Sequence, residues 1–214
     1  ENASASLQLE VLLQSAGPVL QKTLQMLADE CNSKQLYKIL EKLKESVKPF
    51  PSKQALKVLE KTLGEDIDSV FSKFNDKPIA AGTVGQVYEG ILKGSNKNII
   101  IKIKRPNLEK MIDFELGILK KILKNYSENI QITKLLDRLE VSVRKECDFH
   151  SELKSIRKAY HYYSKNYPDT IKIAKDIKKL PHSKKILFLE KAQGVSLSKS
   201  KISSSHISKY IFNI

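Results

Sequence analysis

Lys102 lies in the run Ile99-Ile100-Ile101-Lys102-Ile103-Lys104. Side chains alternate across a strand, so Ile99, Ile101 and Ile103 share one face while Ile100, Lys102 and Lys104 share the other. An ammonium group placed this way beside a cleft can hold a phosphate. Lysines on the solvent face of an edge strand give the same pattern. Upstream, Pro78-Ile79-Ala80-Ala81-Gly82-Thr83-Val84-Gly85-Gln86-Val87 crowds small residues into a strand–turn–strand. Without bulky side chains, backbone N–H groups in such a turn can approach a phosphate chain, although small residues also serve a turn for its own sake. Downstream comes Glu146-Cys147-Asp148-Phe149-His150-Ser151-Glu152, in a helical pattern whose apolar stripe runs through Leu139, Val143, Phe149, Leu153 and Ile156. Glu146 falls in the middle of that stripe, where an ionised, unpaired carboxylate is costly. It requires a cationic partner or a polar cleft, unless the helix end frays and turns it to solvent. Asp148 points away from the stripe, and Glu152 lies at its flank, placed to reach a lysine on a neighbouring strand. Lys22 and Gln25, three residues apart, share a helix face that by itself is ordinary.

Helices, then a hairpin, must position these groups. Leu7 to Asp29 reads as helical, interrupted at Gly17-Pro18 and restarting at Pro18, since proline is tolerated in a first turn. Ser33 to Ser46 reads as an amphipathic helix with Leu36, Ile39, Leu40 and Leu43 on one face. Lys48-Pro49-Phe50-Pro51 breaks it. Ser52 is expected to cap a helix ending at Gly64, and Asp66 a short helix through Phe74. Val84 to Leu92 and Asn98 to Lys104 read as strands joined by Lys93-Gly94-Ser95-Asn96-Lys97. A helix follows Arg105-Pro106 to about Asn125, and a long helical pattern covers Thr133 to Ser164. Thr170 to Ile177 and Lys184 to Glu190 read as strands with a turn at Pro181-His182. The tail from Ser196 to Ile214 is Ser/Lys-rich. This order makes the fold class α+β.

The chain has 214 residues, 41% hydrophobic and 29% charged, which suits a folded protein and is too apolar for a disordered one. No apolar run is long enough to span a bilayer and the N-terminus carries no signal-peptide pattern. Cys31 and Cys147 are far apart without metal-ligand spacing, so a disulfide framework is not expected and a reducing, intracellular setting is inferred. The net charge of +14 favours anionic partners such as nucleotide or an acidic lipid surface. The lysines are spread along the whole chain, however, as a preferred surface residue would be.

Taken together and in this order, the segments resemble the UbiB (AarF/ADCK) family of atypical protein-kinase-like proteins. The family's alanine-rich Pro-x-Ala-Ala-Ala-Ser-x-Gly-Gln-Val loop is similar to Pro78–Val87, and its Val-Ala-Val-Lys strand ending in Arg-Pro is similar to Ile99–Pro106. The Glu-x-Asp motif with an aromatic and a further glutamate resembles Glu146, Asp148, Phe149 and Glu152. The Lys-x-Gly-Gln helix preceded by Gly-Pro resembles Gly17-Pro18 and Lys22 to Gln25, and Ile186 to Glu190 with Gly194 looks like a kinase hinge. The resemblance implies a kinase-like N-lobe over residues 78–190, a helical extension over 1–77, and the start of a C-lobe over 191–214. It implies that Lys102 holds ATP phosphates with Glu152 as its ion-pair partner. Ala80, Ala81, Gly82, Thr83 and Gly85 would cover the phosphates, and the backbone near Glu190 and Ala192 would meet adenine. Lys22 and Gln25 would lie over the pocket as a regulatory motif, with Lys22 near Glu146 and Asp148.

Two departures stand out. Leu24 replaces the motif's glycine, which should lift or tilt that helix. Gly82 and Thr83 replace alanine and serine, which frees the backbone for closer phosphate contact. Ser196 to Ile214 contains no catalytic-loop or metal-binding aspartate motif, so the chain is expected to be part of a longer protein whose magnesium ligands lie outside it. Three functions follow as expectations. The first is the ATP-binding half of a kinase or ATPase linked to quinone biosynthesis or membrane lipid homeostasis. The second is a non-catalytic nucleotide-sensing or scaffold module. The third is a basic helical binder of anionic membrane or nucleic acid, ranked last because no aromatic stacking platform is visible.

Overall fold

A computed structural model describes residues 17–31, 49–123 and 130–194. The helix expected over Ser33 to Ser46, the segment before Gly17 and the Ser/Lys-rich tail lie outside the described residues. Along the chain the elements are α1 (Pro18–Cys31), α2 (Ser52–Leu63), α3 (Ile67–Val70), β1 (Phe71–Phe74), β2 (Ala80–Ala81), β3 (Gly85–Leu92), β4 (Asn98–Lys104), α4 (Leu108–Ile122), α5 (Ile130–Glu146), α6 (Phe149–Asn166) and β5 (Ile186–Glu190). The class is α+β, as expected.

All strands pair antiparallel in one sheet of order β1-β3-β4-β5, with β2 also on β3. The β3–β4 hairpin closes through Gly94 at φ 76° and Asn96 at φ 50°, two residue types that tolerate the left-handed region. Its register sets Gly90, Tyr88 and Gln86 opposite Ile99, Ile101 and Ile103. These residues form the core face with Ile186 and Phe188 of β5, covered by Ala55 and Leu59 of α2 and by Phe50 and Phe71. On the other face Phe149 and Leu153 of α6 pack on Leu187. A third cluster joins Val19 of α1 to Leu108, Ile112 and Leu116 of α4 and to Leu139, Val143 and Cys147 of α5. Val84, at the end of the small-residue loop, touches both of the last two clusters. Among the described residues no helix is long and apolar enough to cross a membrane.

Several expectations need correcting. The pattern over Thr133 to Ser164 is two helices, broken at Cys147-Asp148, because Asp148 takes an extended conformation and caps α6. Phe71 to Phe74 is a strand, not the end of a helix. It pairs with β3, and α3 stops at Val70. Thr170 to Ile177 forms no strand and meets β5 through a single bridge, Asp176 to Leu189. Pro51, not Ser52, occupies the N-cap position of α2, although Gly64 ends that helix at φ 76° as expected.

The glycines of the loop are not equivalent. A Cβ on Gly85 would lie 2.4 Å from the Ile103 carbonyl oxygen, a backbone atom that cannot move aside, whereas a Cβ on Gly82 would find nothing closer than 3.8 Å. Gly85→Ala should therefore cost about 1–3 kcal/mol, and Gly82→Ala should leave stability within about 0.5 kcal/mol. Urea denaturation of the two variants beside the parent checks both.

Candidate functional site

β4 lies between β3 and β5, so the edge-strand reading of its lysines fails. Lys102 and Lys104 project from the face that α6 and the α5–α6 junction cover. Lys102 Nζ reaches both carboxylate oxygens of Glu152 on α6, at 2.8 and 2.7 Å, and sits 4.6 Å from the centre of the Phe149 ring. About a third of each side chain of the pair is open to solvent, 30% and 34%. A pair this wet contributes about 1 kcal/mol at most to stability. What the arrangement provides is a fixed ammonium group at a solvent-accessible position. Lys104 is different, with only 5% of its side chain exposed. Its Nζ donates to the Cys147 carbonyl at 3.0 Å and pairs with Glu109. Burial is the largest single influence on the Glu109 carboxyl and pushes it up, but the Lys104 hydrogen bond, a backbone hydrogen bond and the nearby Lys104 and Lys185 charges together hold it below its usual range.

The α5–α6 junction holds the two other acidic residues singled out in the sequence. Glu146, the last residue of α5, is half exposed, so desolvation is not what demands its partner. It nevertheless meets Lys22 of α1, Nζ to Oε1 at 2.5 Å. Asp148 is committed to capping α6, accepting from the His150 N–H at 3.0 Å and the Ser151 hydroxyl at 2.9 Å. The Ser151 hydroxyl first, and then the backbone N–H groups, hold its carboxyl below the usual range. The buried Cys147 thiol donates to the Val143 carbonyl, and burial pushes its pKa up to about 11.

Helix α1, which carries Lys22 and Gln25, is fastened at its start by a residue that sequence reasoning missed. Glu115 of α4 accepts from the Val19 N–H at 2.9 Å. Burial raises the Glu115 carboxyl, while the N–H groups of Val19 and Leu20 pull it back. A Cβ on Gly17 would fall 1.4 Å from Glu115 Oε1, so the glycine makes room for the carboxylate. The side chain of Gln25 is outside the described residues.

Ala80 and Ala81 pair with Val87 and Gln86, and the Gly82 N–H donates to the Gly85 carbonyl at 2.8 Å, closing a tight turn. The carbonyls of Thr83 and Gly82 accept from the Arg105 guanidinium, both at 3.2 Å. Gln86, fully buried, donates to the Phe50 carbonyl at 2.7 Å and accepts from the Tyr88 hydroxyl at 2.6 Å. At the other end of the sheet, Glu190 pairs with Lys97 at 3.1 Å and its N–H donates to the Lys175 carbonyl, so that N–H is already engaged. Ala192 follows on the exposed chain leaving β5.

Residues 42–213 match the model of the ABC1 atypical kinase-like domain. The chain belongs to the UbiB family. Among its relatives are a probable protein kinase UbiB from Marinobacter nauticus, 31% identical over 71% of this chain, and the mitochondrial atypical kinase COQ8 of Saccharomyces cerevisiae, 31% identical over 58%. These alignments span 28% and 25% of the relatives' own lengths. The fold matches that of Rv3197 from Mycobacterium tuberculosis, solved in complex with erythromycin, with a TM-score of 0.56 and 23% identity over 92% of this chain and 50% of that one. The described α+β architecture is that of a kinase-like N-lobe.

Within this family frame, the residues that the sequence did not announce are Lys104, Arg105, Gln86 and Glu115. Gln86 alone left a signal, a polar residue at a core-facing position of a strand. Among the described residues no three carboxylate, histidine or cysteine side chains converge as a metal site.

Two outcomes test this description. Asp148→Ala should cost about 1 kcal/mol through loss of the cap while Asp148→Asn should cost only a few tenths, as read by thermal unfolding. The Cys147 thiol should resist iodoacetamide at pH 8 in the folded protein and react once denatured, as peptide mass spectrometry would show.

Proposed function

We propose that this chain is the nucleotide-binding portion of an ATP-dependent atypical kinase or ATPase. The observation that carries the reading is the Lys102–Glu152 ion pair, set on a central strand one hairpin away from a small-residue turn. In phosphoryl-transfer proteins of the kinase type, a strand lysine held by a helix carboxylate positions the α- and β-phosphates. Here Glu152 and the Phe149 ring keep the Lys102 ammonium at one place, and the partial exposure of the pair leaves it open to an incoming anion. The Ala80–Gly85 turn supplies backbone without bulk. Bound ATP would bring the transferable phosphoryl group. This chain's own residues would bind the triphosphate and orient it.

Membership of the UbiB family supports a link of the whole protein to quinone biosynthesis or membrane lipid homeostasis. The net charge of +14 suits work at an anionic membrane surface.

In the full-length protein, ATP at a hundredfold excess over its Kd should raise stability by about 2.7 kcal/mol, seen as an upward shift in Tm. Lys102→Met should abolish that shift while lowering the nucleotide-free stability by about 1 kcal/mol or less. A shift that persists in the variant would place the nucleotide elsewhere.

A further inference from the structure

The small-residue turn is closed by the Gly82 N–H to Gly85 carbonyl bond and anchored at one end by Val84, and Arg105, just past the end of β4, adds a restraint on the peptides between them. Three successive carbonyls accept from it. Nη2 reaches Gly82 at 3.2 Å, Nε reaches Thr83 at 3.2 Å, and the Arg105 N–H reaches Val84 at 2.8 Å. The guanidinium is itself seated 5.2 Å from the centre of the Phe50 ring. Phe50 is in turn tied to β3 through Gln86.

Peptide geometry gives this fork a consequence. There is no cis peptide bond among the described residues. In a trans peptide the C=O and the following N–H point in opposite directions. Drawing the Gly82 and Thr83 carbonyls onto Arg105 therefore turns the N–H groups of Thr83 and Val84 away from it. Neighbouring N–H groups presented by a small-residue turn form a concavity for an anion. A lysine could not reproduce the arrangement, because its single ammonium lacks the planar pair of donors that spans two adjacent carbonyls.

We propose that Arg105 is a positioning residue for the triphosphate: without touching the nucleotide, it fixes the peptide planes of residues 82–84 so that the Thr83 and Val84 N–H groups face the phosphates. Phe50 holds the guanidinium in place, so the Pro49-Phe50-Pro51 segment helps set the shape of the phosphate loop. The inference rests on the nucleotide reading above.

The test compares ATP with adenosine, which lacks phosphates, on the full-length protein by calorimetry. Arg105→Lys should weaken ATP about tenfold or more and leave adenosine affinity unchanged. Equal losses for both ligands, as general damage to the fold would give, overturn the proposal, and so does unchanged ATP affinity. Hydrogen exchange on the unmutated protein supplies a readout independent of any variant. ATP, and not adenosine, should slow exchange of the Thr83 and Val84 amides. Failure of ATP to protect them also overturns it. If the unmutated protein binds neither ligand, the nucleotide reading itself falls, taking this inference with it. Binding by the unmutated protein with no response in Arg105→Lys removes the inference alone.

Discussion

β4 faces two incompatible environments at once. One side must be wholly apolar, because Ile99, Ile101 and Ile103 form the floor of the core beneath α2. The other carries two ammonium groups on a strand with neighbours on both edges. A charge in that position needs water or a partner, and the chain provides each differently. Lys102 keeps some water and takes Glu152. Lys104 gives up nearly all of its water and is compensated by Glu109 and the Cys147 carbonyl. Apolar packing seats α5 and α6, and the break between them brings acceptors to both nitrogens.

The same comparison of magnitudes sorts the contacts that hold α1 over this region. The Lys22–Glu146 pair draws the eye, but with Glu146 half exposed it contributes no more than about 1 kcal/mol. Burial of the Val19 side chain against α4 and α5 contributes about 1.5–3 kcal/mol. Packing and the Glu115 cap therefore hold the helix, and the ion pair is left free to exchange partners without loosening it.

What could be read from the sequence was what local pattern controls. The alternation of isoleucine and lysine located β4 with its observed ends, and the Gly94-Ser95-Asn96 loop located the hairpin. Glu152 was placed at reach of a strand lysine from helical spacing alone. The failures have a common cause. Phe71 to Phe74 is a strand only because β3 offers it a partner. Thr170 to Ile177 alternates convincingly yet finds only one bridge on β5. The break at Cys147 was hidden because the apolar residues of α5 and α6 happen to continue one stripe, although they feed two separate clusters. Asp148 followed by Ser151 was the overlooked sign of a new helix start. The roles of Lys104, Arg105 and Glu115 depend on partners brought close by folding, the last across 96 residues of sequence, and no local pattern encodes them.

The interlock between Gly17 and Glu115 constrains how this protein can change. Because the Glu115 carboxylate fills the space that a side chain at 17 would need, a larger residue there must push that carboxylate aside and put at risk its bond to the Val19 N–H. The direction in which the helix bearing Lys22 leaves residue 17 is thus set in part by one side chain of α4, 96 residues further along the chain from Val19.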